Sequence, residues 1–90
     1  MKAAEKRYLE AVAELGCMVC ASPAEVHHIR AGQGMAQRAG NHLVIPLCPE
    51  HHRIGGHGVA IHAGQRSWEG LYGSEMEMLD IVIGRVFQNA

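Results

Sequence analysis

Two pairs of side chains, Cys17-Met-Val-Cys20 and Cys48-Pro-Glu-His51, constrain this 90-residue chain more than any hydrophobic pattern in it. Ligands three residues apart bend a knuckle, or one helical turn, around a single ion. Two such pairs complete a tetrahedron of thiolate and imidazole donors, the set that zinc favours. The competing reading is three buried small hydrophobes or free thiols, and the presence of both half-motifs favours zinc. Four protein ligands leave no open position, so the expected role of a Cys17, Cys20, Cys48 and His51 site is structural. The size of the chain gives that role weight. A domain this small buries only about two-thirds of the surface its unfolded chain exposes, and the binding energy of an ion adds directly to folding.

Three cysteines cannot close a disulfide framework without one left over. Together with the charged start MKAAEKRYLE, they point to a reducing, cytoplasmic setting. No apolar run approaches the roughly 20 residues a membrane span needs, so no membrane is expected as a partner.

The pattern around these pairs predicts one small α+β domain over residues 1–90, with a metal-binding core at about 17–62. Tyr8, Val12 and Leu15 recur at helical spacing over residues 2–15, with Ala4 and Ala11 on the same side and Gly16 as the stop. Residues 24–29 read as a short strand and residues 30–41, rich in glycine, as a loop. Residues 43–45 read as a second strand limited by Pro46. Pro49 suits the first turn of a helix that carries Glu50 to Arg53 and ends at Gly55-Gly56. A short helix over 65–72 and a capped helix over 75–88 follow. The latter opens on the capping box Ser74-Glu-Met-Glu77, with Leu79, Val82, Ile83 and Val86 at core spacing. A knuckle joined to the first turn of a helix is the geometry of a zinc-stapled treble clef, here flanked by N- and C-terminal helices.

All seven histidines fall between positions 27 and 62, four of them in two adjacent pairs. Neighbouring strand residues such as His27 and His28 face opposite sides, so one can hold a metal while the other meets a water. Successive helical residues point about 100° apart, so His51 can face the structural zinc while His52 faces a second ion. A lone histidine is usually a core or surface residue, and His42 is best read so. Seven in so short a stretch are not.

AEVHHI, then Asn41, then VIPLC-PE-HH, resembles the ββα-metal (His-Me finger) core of HNH endonucleases. LCPEHHRIGGHGVAIHAGQRSWEGLYGSE is similar to phage-type HNH proteins, in particular the RecA-dependent nuclease (Ref-like) family. The resemblance covers residues 17–75 or so. It implies a metal-dependent DNA endonuclease. In that pattern His27 is the first ligand of a catalytic divalent ion (zinc, magnesium, manganese or nickel), and His28 is the general base. Asn41 steadies the loop that positions the base, and His52 is a second ligand. Many HNH enzymes place a further ligand about one helical turn later. That position is Gly56 here, so the ligand is assigned to His62, with His57 as the alternative. The resemblance also implies a phage origin, a role in DNA recombination and a RecA filament as partner. Trp68 and Tyr72 belong to the family's WxxxYG pattern, but four-residue spacing on a short helix reads more simply as a face packed on the core.

The chemistry suits these residues. A histidine with an ordinary pKa near 6.5 is a neutral base at pH 7. A divalent cation with open positions can bind a scissile phosphate and its leaving oxygen. Arg30 and Arg53, beside the expected ligands, are candidates for clamping phosphate through paired hydrogen bonds. The net charge of −1 argues against nucleic acid, but its distribution does not. Residues 27–66 hold Arg30, Arg38, Arg53 and Arg66 against Glu50 alone, while the flanks are acidic. A bound cation would make the middle more positive still. The alternative class is a treble-clef zinc domain that binds DNA or a protein partner without cutting. A zinc peptidase is disfavoured, because the chain has no HExxH motif.

Overall fold

Two four-residue strands carry the first histidine pair into the centre of the protein. β1 (Glu25–His28) and β2 (Val44–Leu47) run antiparallel, with Glu25 opposite Leu47, Val26 opposite Pro46, His27 opposite Ile45 and His28 opposite Val44. The computed structural model describes residues 1–31 and 40–88. The loop expected over 30–41 therefore lies mostly outside the described residues. Every residue of β2 is buried, because α1 (Ala3–Glu14) and α3 (Glu75–Gln88) both pack against this strand. Strand alternation then separates the histidine pair: His27 is 1 % exposed, while His28 lies on the other face and is only partly covered.

Pro46 does not limit β2, as the sequence suggests it should, but lies within it. Its carbonyl points away from β1 and accepts the Met18 amide at 3.0 Å. Its nitrogen faces the same way, so the missing N–H removes no rung of the ladder. The bond to Met18 also ties the knuckle to the sheet.

α1 ends one residue short of the expected boundary and turns back at Gly16, whose φ of +84° favours glycine. A Cβ there would stand 2.9 Å from the Ala21 carbonyl oxygen. The chain then folds into the Cys17–Cys20 knuckle, closed by Ala21 N–H to Cys17 O and Cys17 N–H to Ser22 O, both at 2.8 Å.

The helix expected after Pro49 is a single five-residue π turn, Glu50–Ile54. It closes through Gly55 N–H to Glu50 O at 2.9 Å. A Cβ at Gly55 would lie 2.5 Å from that oxygen and 2.5 Å from Val59 Cγ1, so the close return of the chain demands glycine. A 3₁₀ turn (Ile61–Ala63) and α2 (Gln65–Tyr72) follow. α3 carries both halves of its capping box: Glu77 N–H donates to Ser74 Oγ at 3.1 Å, and Ser74 N–H donates to Glu77 Oε1 at 3.3 Å.

The core gathers Val12, Ile29, Ile45, Leu47, Ile61, Trp68, Leu79 and Val82 around the strands. Ile83 and Val86, expected in it, lie partly buried at its margin. The architecture is thus α+β, two strands wrapped by helices at either end of the chain. Among the described residues no helix is long and apolar enough to cross a membrane.

Candidate metal centre

Among the described residues, two groups of side chains each bring their ligand atoms within 4.8 Å of one another. The first is Cys17, Cys20, Cys48 and His51. Cys20 Sγ lies 3.7 Å from Cys48 Sγ. His51 Nδ1 lies 3.2 Å from Cys48 Sγ and 3.9 Å from Cys17 Sγ. A tetrahedral zinc with ordinary bond lengths needs edges of about 3.8 Å between sulfurs and about 3.6 Å from sulfur to nitrogen, so the four residues fit a metal such as zinc. Both local structures aim their donors. The knuckle points the Val19 amide at Cys17 Sγ, 3.4 Å away, and the π turn places His51 one turn beyond Cys48. The Tyr72 ring meets the His51 ring edge-on at 5.6 Å.

Cys17 and Cys48 are buried and Cys20 is exposed. Hydrogen bonds with Ser22, and then with Cys48 and Cys17, lower the Cys20 thiol to about 6. Burial pushes the Cys48 thiol up. Cys20 is therefore the first of this pair to become the thiolate that a metal requires.

The second group is His27, His52 and His62. His52 Nε2 and His62 Nε2 are 2.9 Å apart, and the His27 ring stands 5.0 Å from His52 and 5.1 Å from His62, centroid to centroid. Two imidazoles on a tetrahedral ion need their nitrogens about 3.3 Å apart, so this trio also fits a cation. Three ligands leave a position open, and His62 faces solvent.

Each of two imidazoles is backed by a carboxylate. His27 Nε2 donates to Glu75 Oε2 at 2.6 Å, which leaves the ring's lone pair on Nδ1. His52 Nδ1 donates to Glu25 Oε2, which leaves its lone pair on Nε2, facing His62. A carboxylate on the far nitrogen fixes the tautomer of a ligand histidine and raises its basicity. Glu75 is fully buried, and it also accepts from Arg30 N–H (2.8 Å), Ala31 N–H (2.9 Å) and Gln65 Nε2 (2.9 Å). Burial raises its carboxyl, but these bonds, led by that from His27, bring it below the ordinary range. Arg53, and then His52, hold the Glu25 carboxyl down at about 2. Partial burial, and for His62 also the neighbouring His52 and His27, lowers both imidazoles, which favours the neutral form that a metal binds.

His28 sits beside this cluster without joining it. Its Nε2 donates to Asn41 Oδ1 at 2.9 Å. Arg30 and His62 line a cavity of about 280 Å³ with Ile61, Ala63, Gly64 and Gln65. Arg53, read from the sequence as a phosphate clamp, instead grips Glu25 through Nε (2.7 Å) and Nη2 (3.1 Å). Its place on the π turn aims it back at β1. Of the two candidates for the third ligand, His62 joins the cluster, while the His57 ring lies against Gly64. His42 stacks edge-on with Tyr8 at 5.0 Å. Trp68 is fully buried and donates to Val59 O at 3.0 Å, as a core residue should.

Sequence reading missed Glu25 and Glu75. Glu25 had a usable signal, since it lies two residues before His27 on the same strand face. Glu75 reads locally as an ordinary first-turn acid of α3, and its approach to His27 comes only from the packing of α3.

The family model described as "Protein of unknown function (DUF968)" matches residues 1–89. The uncharacterized protein YdfU of Escherichia coli (strain K12) is 33% identical over 84 residues, a match that covers 90% of this chain. The chain spans 22% of the length of that relative. No solved structure matches.

Proposed function

The chain belongs to the DUF968 family, and we propose that it is a metal-dependent DNA endonuclease of the HNH type. In this reading β1, β2 and the π turn form the ββα-metal core, the π turn standing where a helix is usual. The Cys17–Cys20 knuckle with Cys48 and His51 forms the treble-clef staple. One observation carries the proposal: His28, adjacent in sequence to His27 of the trihistidine cluster, stands outside that cluster and is held by Asn41 at 2.9 Å.

His28 takes the proton of the attacking water, and Asn41 keeps its ring in place. Arg30, beside the open cavity, holds a phosphate oxygen of the DNA backbone. His27, His52 and His62 would hold a divalent ion, which would supply Lewis-acid stabilisation to the phosphate and the leaving oxygen. Arg53 serves the site indirectly, by fixing Glu25 and through it His52. A role in phage recombination and dependence on a RecA filament belong to the proposal through the resemblance alone.

The test is cleavage of supercoiled plasmid and of single-stranded DNA by the zinc-loaded chain. Added magnesium, manganese, nickel or zinc is compared, with and without a RecA filament. Nicked or linear product is expected. His28→Ala should lower the rate by about 10²–10⁴-fold, the usual worth of a general base, with zinc content and circular dichroism unchanged. A His28→Ala protein that cuts like the parent refutes the mechanism. The other reading, a zinc module that binds without cutting, draws support from Arg53 being engaged with Glu25. It predicts a single ion, held by the cysteines, and no cleavage.

A further inference from the structure

We infer that Glu5, on α1, is the positioning residue that sets the orientation and tautomer of His28, acting through Asn41. The inference rests on the reading of His28 as a base. Asn41 Nδ2 donates to Glu5 Oε2 at 2.6 Å, and Asn41 Oδ1 accepts from His28 Nε2 at 2.9 Å. The three residues come from three separate parts of the chain: α1, the end of β1, and the segment leading into β2. The short first bond is of the charge-assisted kind.

The donor and acceptor inventory fixes every orientation in this chain of bonds. An ionised carboxylate only accepts. The Asn41 side chain must therefore turn its NH₂ group to Glu5, which turns its oxygen to His28. That oxygen can only be met by an N–H, so His28 carries its proton on Nε2. The ring's lone pair is then on Nδ1, and Nδ1 is the atom that takes the proton from water. Without Glu5, Asn41 is free to flip and offer NH₂ to His28, which would place the lone pair on Nε2, blocked by that amide. The result is the wrong tautomer for catalysis.

Helical spacing explains how a glutamate reaches this point. Glu5 precedes Tyr8 and Val12 by three and seven residues, so it lies on the face of α1 that packs on the sheet, and it is partly buried. On an outward face it would be one more solvated charge.

The experiment uses the zinc-loaded full chain labelled with ¹⁵N-histidine, at a pH where the imidazoles are neutral, with His28→Ala assigning the signal. The His28 nitrogens should report the Nε2–H tautomer in the parent protein. Nδ1–H there overturns the inference before any variant is made. In Glu5→Gln, whose amide can donate or accept, a mixture of tautomers is expected, with plasmid cleavage slowed about tenfold and zinc content unchanged. Retention of a pure Nε2–H signal in that variant also overturns it. In an Asn41→Ala background, Glu5→Gln should have no further effect on cleavage, since the path through the amide is already cut. Additive losses would mean that Glu5 acts by another route. If the parent protein cuts no DNA, the endonuclease reading fails, while the tautomer measurements still decide whether Glu5 directs His28.

Discussion

The two clusters share a neighbouring pair, His51 and His52, yet they balance charge in opposite ways. In the Cys17, Cys20, Cys48 and His51 cluster, three thiolates outweigh the charge of a dication at the ion itself. In the His27, His52 and His62 cluster the donors are neutral, and the opposing charge stands one bond further out, on Glu75 and Glu25. The first arrangement would quench a bound ion and close around it. The second would leave the field of a bound ion less quenched, beside the cavity that Arg30 and His62 line. Where the negative charge is put would thus separate a staple from a Lewis acid in the proposed function, across the adjacent residues His51 and His52.

The largest expected effect breaks the closed cluster. Cys48→Ala should lose zinc and the cooperative fold together. Structural zinc is worth about 10–16 kcal/mol in small zinc-finger peptides, as much as the roughly 5–15 kcal/mol total stability of an ordinary domain. Zinc content and circular dichroism read the result, and a zinc-free variant that stays folded would contradict the role of staple.

A smaller effect is expected at the open cluster. His62→Ala should abolish binding of one exchangeable cobalt ion while the cysteine-bound zinc remains. His57→Ala should leave cobalt affinity unchanged. Titration followed by the cobalt absorption spectrum distinguishes them, and the reverse outcome would reassign the third ligand.

The smallest effects belong to the outer carboxylates. Glu25→Gln and Glu75→Gln should each weaken the exchangeable ion by about 10–100-fold. Glu75→Gln should also destabilise the fold, since four donors converge on that buried carboxylate. Glu25 adds a pH signature. Its carboxyl falls from 4.5 to about 2 in the folded protein. Its contribution to stability is therefore complete above about pH 4.5 and lost as the pH falls through about 2. Glu25→Gln should flatten that acid stretch of the stability curve, and an unaltered slope would mean that the bonds to Arg53 and His52 contribute nothing.

The members of both clusters were legible as candidate ligands because each comes from a short motif whose spacing carries geometry. A CxxC knuckle, a CxxH turn and two adjacent histidine pairs direct donors locally, whatever surrounds them. The helices were legible for a similar reason: Val12, Leu79 and Val82 repeat at core spacing, and the Ser74–Glu77 box forms both of its bonds. The place of Pro46 was not, because whether a missing N–H matters depends on which side of the strand its partner lies. The role of Arg53 was also hidden, since a local reading cannot show that Glu25, far back in the chain, occupies its guanidinium.

The sequence by itself determined which residues can ligate a metal and how they divide into a sulfur-rich set and an imidazole set. Donor chemistry and short-range spacing are local properties, preserved in any fold that brings the half-motifs together. Only the tertiary structure decided which carboxylates stand behind the imidazoles. Glu75 reaches His27 because α3 packs on β2, and Glu5 reaches Asn41 because α1 covers the same sheet. Those contacts join residues 48 and 36 positions apart, and no local pattern encodes them.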